Sequence, residues 1–345
     1  MRLSTNTRHY EMQGYEGSCK GATFVELLIA LAIFTIVMTA VFSAYITLTR
    51  YSTDEYRLAE SGMETELAKN IIERDIMMAG YGLADDYGEA SLDPRPVQVA
   101  GKDPDYNLLL RGTAIGILSK SSQGWSYIKS VNPTQIEQWN DERENISYGD
   151  RVIYIDPATR EILTTESTTV FKYPERPYSL ERGTIVYGLH SNNADLPYYT
   201  IKYSLGGTPP SICAPGTRNL LRAESKDYDP PVSGQPVMNC VRDFQIAFGL
   251  DTKNEDGVID MWDPSSADTY ETKMLRKIIK QIRVYILVQN GNYEPYYTYS
   301  NPDPAMSPDM IHVGDSVAGK YITLTEQQRN YRWKVISIYV TPRNL

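Results

Sequence analysis

The chain opens on a polar stretch, residues 1–21, and then changes character. Apart from Glu26, Phe24 to Leu48 is apolar, small or hydroxylated, and Glu26 is the only acidic or basic side chain between Gly21 and Thr49. A helix rising about 1.5 Å per residue over that length exceeds the ~30 Å of a bilayer's hydrocarbon layer. After Arg50 the pattern becomes amphipathic. Leu58, Met63, Leu67, Ile71 and Ile76 recur at about one-turn intervals, with Glu64, Glu66, Lys69 and Glu73 on other faces. No helix breaker stands between Gly21 and Gly62, and Gly80-Tyr81-Gly82 supplies a stop. The pattern predicts one helix with a membrane half at 22–50 and an amphipathic half at 51–80.

Beyond it the pattern is different. Residues 83–130 are rich in Gly, Pro and Asp, with short apolar pieces such as Leu108–Leu110, and read as loops with short strands. Strand-like runs follow at Arg151–Ile155, Thr184–Leu189, Tyr198–Leu205, Val241–Gly249, Ile278–Val288, Tyr321–Leu324 and Trp333–Thr341. Several alternate apolar and polar positions, as half-buried antiparallel strands do. Asp156-Pro-Ala-Thr-Arg160 reads as a hairpin turn. The expected fold class is α+β: a long N-terminal helix packed on an antiparallel-sheet-rich globular domain over 83–345. No internal repeat or low-complexity tract is present.

Composition and charge then narrow the class. The formal charge is −9 over 345 residues and no basic run occurs. Nucleic acid is therefore not an expected partner, since phosphate binding needs clustered Lys and Arg. Arg2, Arg8 and Lys20 ahead of the apolar run place the N-terminus in the cytoplasm and everything after Arg50 outside. Tyrosine is abundant, 27 copies against 6 Phe, which suits half-buried sheet surfaces where a ring carries a wet hydroxyl. The cluster Tyr293, Tyr296, Tyr297, Tyr299 reads as a loop and sheet edge. Of three cysteines, Cys19 precedes the apolar run, while Cys213 and Cys240 would be exported to an oxidising compartment and could pair. Their spacing permits a bridge and equally allows two free buried thiols.

Glu26 is the anomaly, because a carboxylate inside such a run costs roughly 2.5–3.5 kcal/mol on insertion scales. A cleaved secretory signal would have a shorter apolar core ending in small residues. A lipoprotein signal would need its Cys after that core, and a plain signal anchor leaves Glu26 unexplained. Gly21 followed by Ala22-Thr23-Phe24-Val25-Glu26-Leu27-Leu28 resembles the class III signal of type IV pilins and pseudopilins. The resemblance implies cleavage by prepilin peptidase between Gly21 and Ala22, with N-methylation of Ala22. Glu26 would then be the fifth mature residue. There it can meet the cationic N-terminus of a neighbouring subunit, which lowers the burial cost and sets an axial register. The chain departs from the family in opening its mature sequence with Ala22, where Phe or Met is usual. Thr35, Thr39, Ser43 and Thr47 recur every four residues, and such a stripe allows close helix–helix approach. Alternatively each hydroxyl bonds its own i−4 carbonyl.

The C-terminal part resembles the PilW-type minor pilins. The likeness is carried by "CVRDFQIAFGLDTKNEDGVIDMW" (Cys240–Trp262), "IIKQIRVYILVQN" and the closing "YRWKVISIYVTPRNL". It implies a non-enzymatic subunit inserted in the inner membrane by a single span before assembly, and on the pilus, cell surface or periplasmic side afterwards. Implied partners are prepilin peptidase, other minor pilins, the major pilin and the inner-membrane assembly platform. An exported part of about 260 residues is bulky for a repeating subunit and suits occasional or tip incorporation. Two other readings are a minor pseudopilin of a type II secretion system and a membrane-anchored periplasmic binding or adhesion protein that never polymerises.

Candidate chemistry is sparse. Thr252, Asn254, Asp256, Gly257, Ile259, Asp260 and Asp263 fall at positions 1, 3, 5, 6, 8, 9 and 12 of an EF-hand-like frame, with Asp251 just ahead of it. Hard oxygen ligands around a Gly turn are what Ca²⁺ requires, although Asp, Asn and Gly also make ordinary turns. No other cofactor is expected. A chain cut after Gly21 would keep only His190 and His312, which argues against a His-rich zinc site. Gly314-Asp315-Ser316-Val317 is similar to the nucleophile block of GDSL hydrolases, but no His follows Ser316, and a loop between strands is expected.

Overall fold

The computed structural model describes residues 23–87, 94–101, 105–113, 124–141, 145–166, 168–189, 198–226, 230–263 and 269–345. Cys19, Gly21, Ala22 and His190 lie outside the described residues. The chain divides into two compact units, residues 1–55 and 56–345. In the first, the described part is the opening of helix α1 (Phe24–Met78). Its apolar side chains from Phe24 to Leu48 are exposed, and Phe24–Thr53 is long and apolar enough to cross a membrane.

In the second unit α1 turns a face of Thr65, Ala68, Ile72, Asp75, Ile76 and Ala79 into the core. Their three- and four-residue spacing is that of one helix face. This corrects the expected stripe, since Met63 and Leu67 are 70% and 63% exposed. Ranking by apolarity favours the large side chains, yet Ala and Thr are the residues that let the helix lie close against the sheet. Gly80 and Gly82 end the helix with φ of +83° and +67°, values that favour glycine. A Cβ on Gly80 would also stand 2.4 Å from the Asn344 carbonyl oxygen. The Asn344 side-chain amide donates to the Met77 carbonyl at 2.9 Å.

The strands are β1 (Val97–Ala100), β2 (Asn107–Gly112), β3 (Trp125–Ser130), β4 (Gln135–Ile136), β5 (Arg151–Ile155), β6 (Phe171–Lys172), β7 (Ile185–Leu189) and β8 (Tyr199–Gly206). They continue as β9 (Arg218–Ser225), β10 (Gln235–Leu250), β11 (Met261–Asp263), β12 (Ile279–Asn290), β13 (Met310–Gly314), β14 (Gly319–Thr323) and β15 (Arg332–Val340), with α2 (Thr272–Ile278) leading into β12. The main sheet has the order β1-β2-β8-β9-β10-β12-β15, with β11 on β10. A second sheet runs β4-β3-β7-β5-β6, and β13 and β14 form a separate hairpin. Every pairing between these strands is antiparallel. The fold is α+β.

One face of the main sheet, including Leu108, Tyr203, Phe244, Phe248, Ile286 and Ile338, shares a core with Ile72 and Ile76 of α1. On the opposite face Ala247, Tyr285 and Leu287 lie under Ile311, Val313 and Leu324. Strand β10 is longer than its predicted run and passes through irregular register around Cys240, whose φ is +54°. Asp156–Arg160 makes the expected turn, the Asp156 carboxylate accepting from the Ala158 and Thr159 amides.

Candidate functional site

The start of α1 is fixed by its own side chains. The Thr23 hydroxyl accepts from the Glu26 amide at 3.3 Å, and the Glu26 carboxylate accepts from the Thr23 amide at 2.8 Å. This reciprocal pair is a capping box, which satisfies two donors that a helix start leaves open. Glu26 therefore has a partner within its own chain. The signal for this cap is Thr-x-x-Glu directly before an apolar run, Thr23 to Glu26 in the sequence.

Along the span, the Thr35, Thr39 and Thr47 hydroxyls donate to the carbonyls of Leu31, Thr35 and Ser43 at 2.8–2.9 Å. Bonded this way, the hydroxyls cost little in an apolar medium and leave a narrow side on the helix. Thr39, Ser43 and Thr47 line a shallow groove with Phe42, Ile46 and Arg50.

The later turns of α1 are held to the main sheet by charge as well as packing. Asp75 is fully buried and accepts from the Tyr203 hydroxyl at 2.6 Å and from Arg222 Nε at 2.5 Å. Arg222 also pairs with Glu224, which accepts from the Tyr199 hydroxyl at 2.8 Å. Burial, and then the Asp75 charge beside it, push the Tyr203 hydroxyl well above its ordinary pKa. Burial opposes ionisation of Glu224, but hydrogen bonds from Arg222 and Tyr199 outweigh it and hold that carboxyl below its usual range. Through these contacts the cluster clamps α1 to β8 and β9.

Cys213 and Cys240 are joined, with Cα atoms 5.1 Å apart, tying the β8–β9 connection to β10. In the turn after β10, Asp251 accepts from the Gly257 amide at 2.7 Å. Asp260 accepts from Thr252 and Lys253, and Asp256 from Val258. Asp263 is placed apart from them, on β11 opposite Phe248. Among the described residues no three His, Cys, Asp or Glu side chains converge as a ready metal site. The Gly314–Val317 block is the β13–β14 hairpin turn, where Asp315 accepts from the Val317 and Ala318 amides. His312 packs against Tyr321 across that hairpin.

Residues 17–42 match the prokaryotic N-terminal methylation motif, and residues 198–344 match the family described as type IV pilus-assembly protein W. Residues 198–344 are thus similar to the PilW-type pilus-assembly proteins, and the N-terminal segment to a pilin methylation signal. The PilW-like region begins with β8 and takes in β9, β10, β12 and β15, the strands that receive α1. The methylation motif implies peptidase processing and membrane anchoring, and the two matches together imply pilin partners. A type IV-like pilin from Thermus thermophilus is similar in structure at 8% identity and a TM-score of 0.37. That match covers 82% of this chain and 97% of that one; a likeness so distant decides nothing by itself. No curated protein matches the chain.

Proposed function

We propose that the PilW-like chain is a low-copy subunit that enters a type IV pilus through α1 and serves at the priming or tip end of the fibre. The observation that carries this reading is the unpartnered apolar surface of the helix. Phe24 to Leu48 is bare, and Met63 and Leu67 remain exposed while the opposite face is buried. Exposed apolar surface of this extent marks a membrane or protein contact. Residues 1–21 act as the leader, 22–50 as the membrane and polymerisation segment, 51–80 as its amphipathic continuation, and 83–345 as the exported domain. Prepilin peptidase cuts between Gly21 and Ala22, and Ala22 is methylated. Glu26 then exchanges its contact with the Thr23 amide for the amine of a neighbouring pilin. The side formed by Thr35, Thr39, Ser43 and Thr47 lets that neighbour approach. The inner-membrane assembly platform, other minor pilins and the major pilin are the partners.

Mass spectrometry of the chain recovered from pili tests this directly. A mature terminus at Ala22 is expected; an intact Met1, or a cut elsewhere, rejects the reading. Glu26→Ala should be cleaved normally yet be depleted from sheared fibres, and undiminished incorporation rejects the register role. Loss of secretion with intact pili on deletion would assign the chain to a type II secretion system instead.

A further inference from the structure

We propose that the turn joining β10 to β11, residues 251–260, binds a hard divalent cation, Ca²⁺ by its chemistry. The deciding observation is one oxygen. Asp251 is 0% exposed, and its Oδ2 accepts from the Gly257 amide, so the carboxylate points into the turn. Its Oδ1 is equally shut off from solvent and accepts no hydrogen bond. Leaving a buried carboxylate oxygen unmatched is costly, so a ligand for that oxygen is expected. Lys280 stands 3.9 Å from Oδ2 while donating to the Lys277 carbonyl at 2.7 Å. Its ammonium offsets the charge of Asp251 and leaves Oδ1 bare.

The surrounding donors are all oxygen. Asp256 and Asp260 each hold backbone amides through one oxygen, which leaves a second oxygen for an ion, and Asn254 lies exposed between them and Asp251. The sequence frame puts Thr252 first, whereas the structure brings Asp251 to the Gly257 amide. The anchoring ligand is therefore one residue earlier than the spacing indicates. Ca²⁺ accepts irregular sets of carboxylate, amide and carbonyl oxygens, while Mg²⁺ demands near-octahedral geometry and dehydrates reluctantly. Because no three carboxylates converge before binding, Asp256 and Asp260 must be drawn inward. Affinity is accordingly set in the range of extracellular modules, with Kd about 10⁻⁴–10⁻³ M.

Calorimetric titration of the full chain in detergent, stripped with EGTA and titrated with CaCl₂ or MgCl₂, tests the site. Ca²⁺ is expected to bind in that range and Mg²⁺ at least tenfold more weakly. Asp260→Asn keeps the acceptor for the Thr252 and Lys253 amides and should weaken Ca²⁺ binding at least tenfold. Lys280→Met, which removes the competing ammonium, should tighten it. Absence of binding up to about 5 mM, above the weakest extracellular modules, overturns the proposal and leaves Asp251 to a buried water. Equal binding by Asp260→Asn, or equal affinity for Mg²⁺, overturns it as well.

Discussion

Replacing Asp75 by alanine should cost about 3–5 kcal/mol, the range for removing one member of a buried ion pair. Asp75 is fully enclosed and receives both the Tyr203 hydroxyl and Arg222 Nε. Without it Arg222, whose side chain is 13% exposed, keeps only Glu224, and a buried tyrosine hydroxyl loses its acceptor. The orphaned hydroxyl would account for about 1–3 kcal/mol on its own, but the two losses overlap and do not add. Against a total stability of about 5–15 kcal/mol, the change is large. Urea unfolding of the detergent-solubilised chain reads it through tryptophan fluorescence, since Trp125, Trp139, Trp262 and Trp333 all lie in the second unit. The midpoint should fall with an unchanged slope. The double variant Asp75→Leu/Arg222→Met, which replaces the pair by apolar groups, should recover most of the loss. A single-variant cost below about 1 kcal/mol, or a double variant as weak as the single, would refute the view that this pair clamps α1 to the sheet.

Three further outcomes are expected. Cys213→Ser/Cys240→Ser should lose about 3.5 kcal/mol, the chain-entropy value for a loop of this length, and reductant should have the same effect on the native chain in the same urea assay. Asp315 is opposed by burial, yet the Ala318 and Val317 amides and the Arg283 charge hold its carboxyl down at about 2. A depressed carboxyl contributes stability that is full above about pH 4 and is lost as pH falls through 2, so Asp315→Asn should flatten the acid limb of a thermal-midpoint profile. Met63→Gln with Leu67→Gln should change stability by no more than about 0.5 kcal/mol, as exposed positions do. The same variant should reduce recovery of the chain in sheared fibres, and a normal yield would remove these side chains from the assembly surface.

Much of the architecture was legible because it rests on local patterns. The membrane run, the glycine stop at Gly80–Gly82 and the alternating strands β5, β8, β12 and β15 follow from period and turn chemistry. The buried face of α1 was misassigned because Ala68, Ala79 and Thr65 matter for their small size, which an apolarity pattern ranks low. Strand β9, with its Arg-Asn-Leu-Leu-Arg start, has little intrinsic strand preference and is held by β8 and β10 on either side. The Asp75–Arg222 clamp joins residues 147 positions apart, a contact that no local pattern contains. In the β10–β11 turn the composition was plain, whereas the residue aimed inward depended on backbone path.

The Cys213–Cys240 bond has a mechanical consequence. A pilus subunit is loaded along its fibre, and a domain that yields under load lengthens by the contour of whatever chain unravels. The 27-residue separation closed by the bond would release about 90 Å at ~3.4 Å per residue. The covalent link keeps that length in reserve, together with β9 and the first third of β10. In single-molecule pulling, the oxidised domain should therefore extend by about 90 Å less than the reduced one, giving the second unit a hard limit on stretch that its hydrogen bonds alone could not impose.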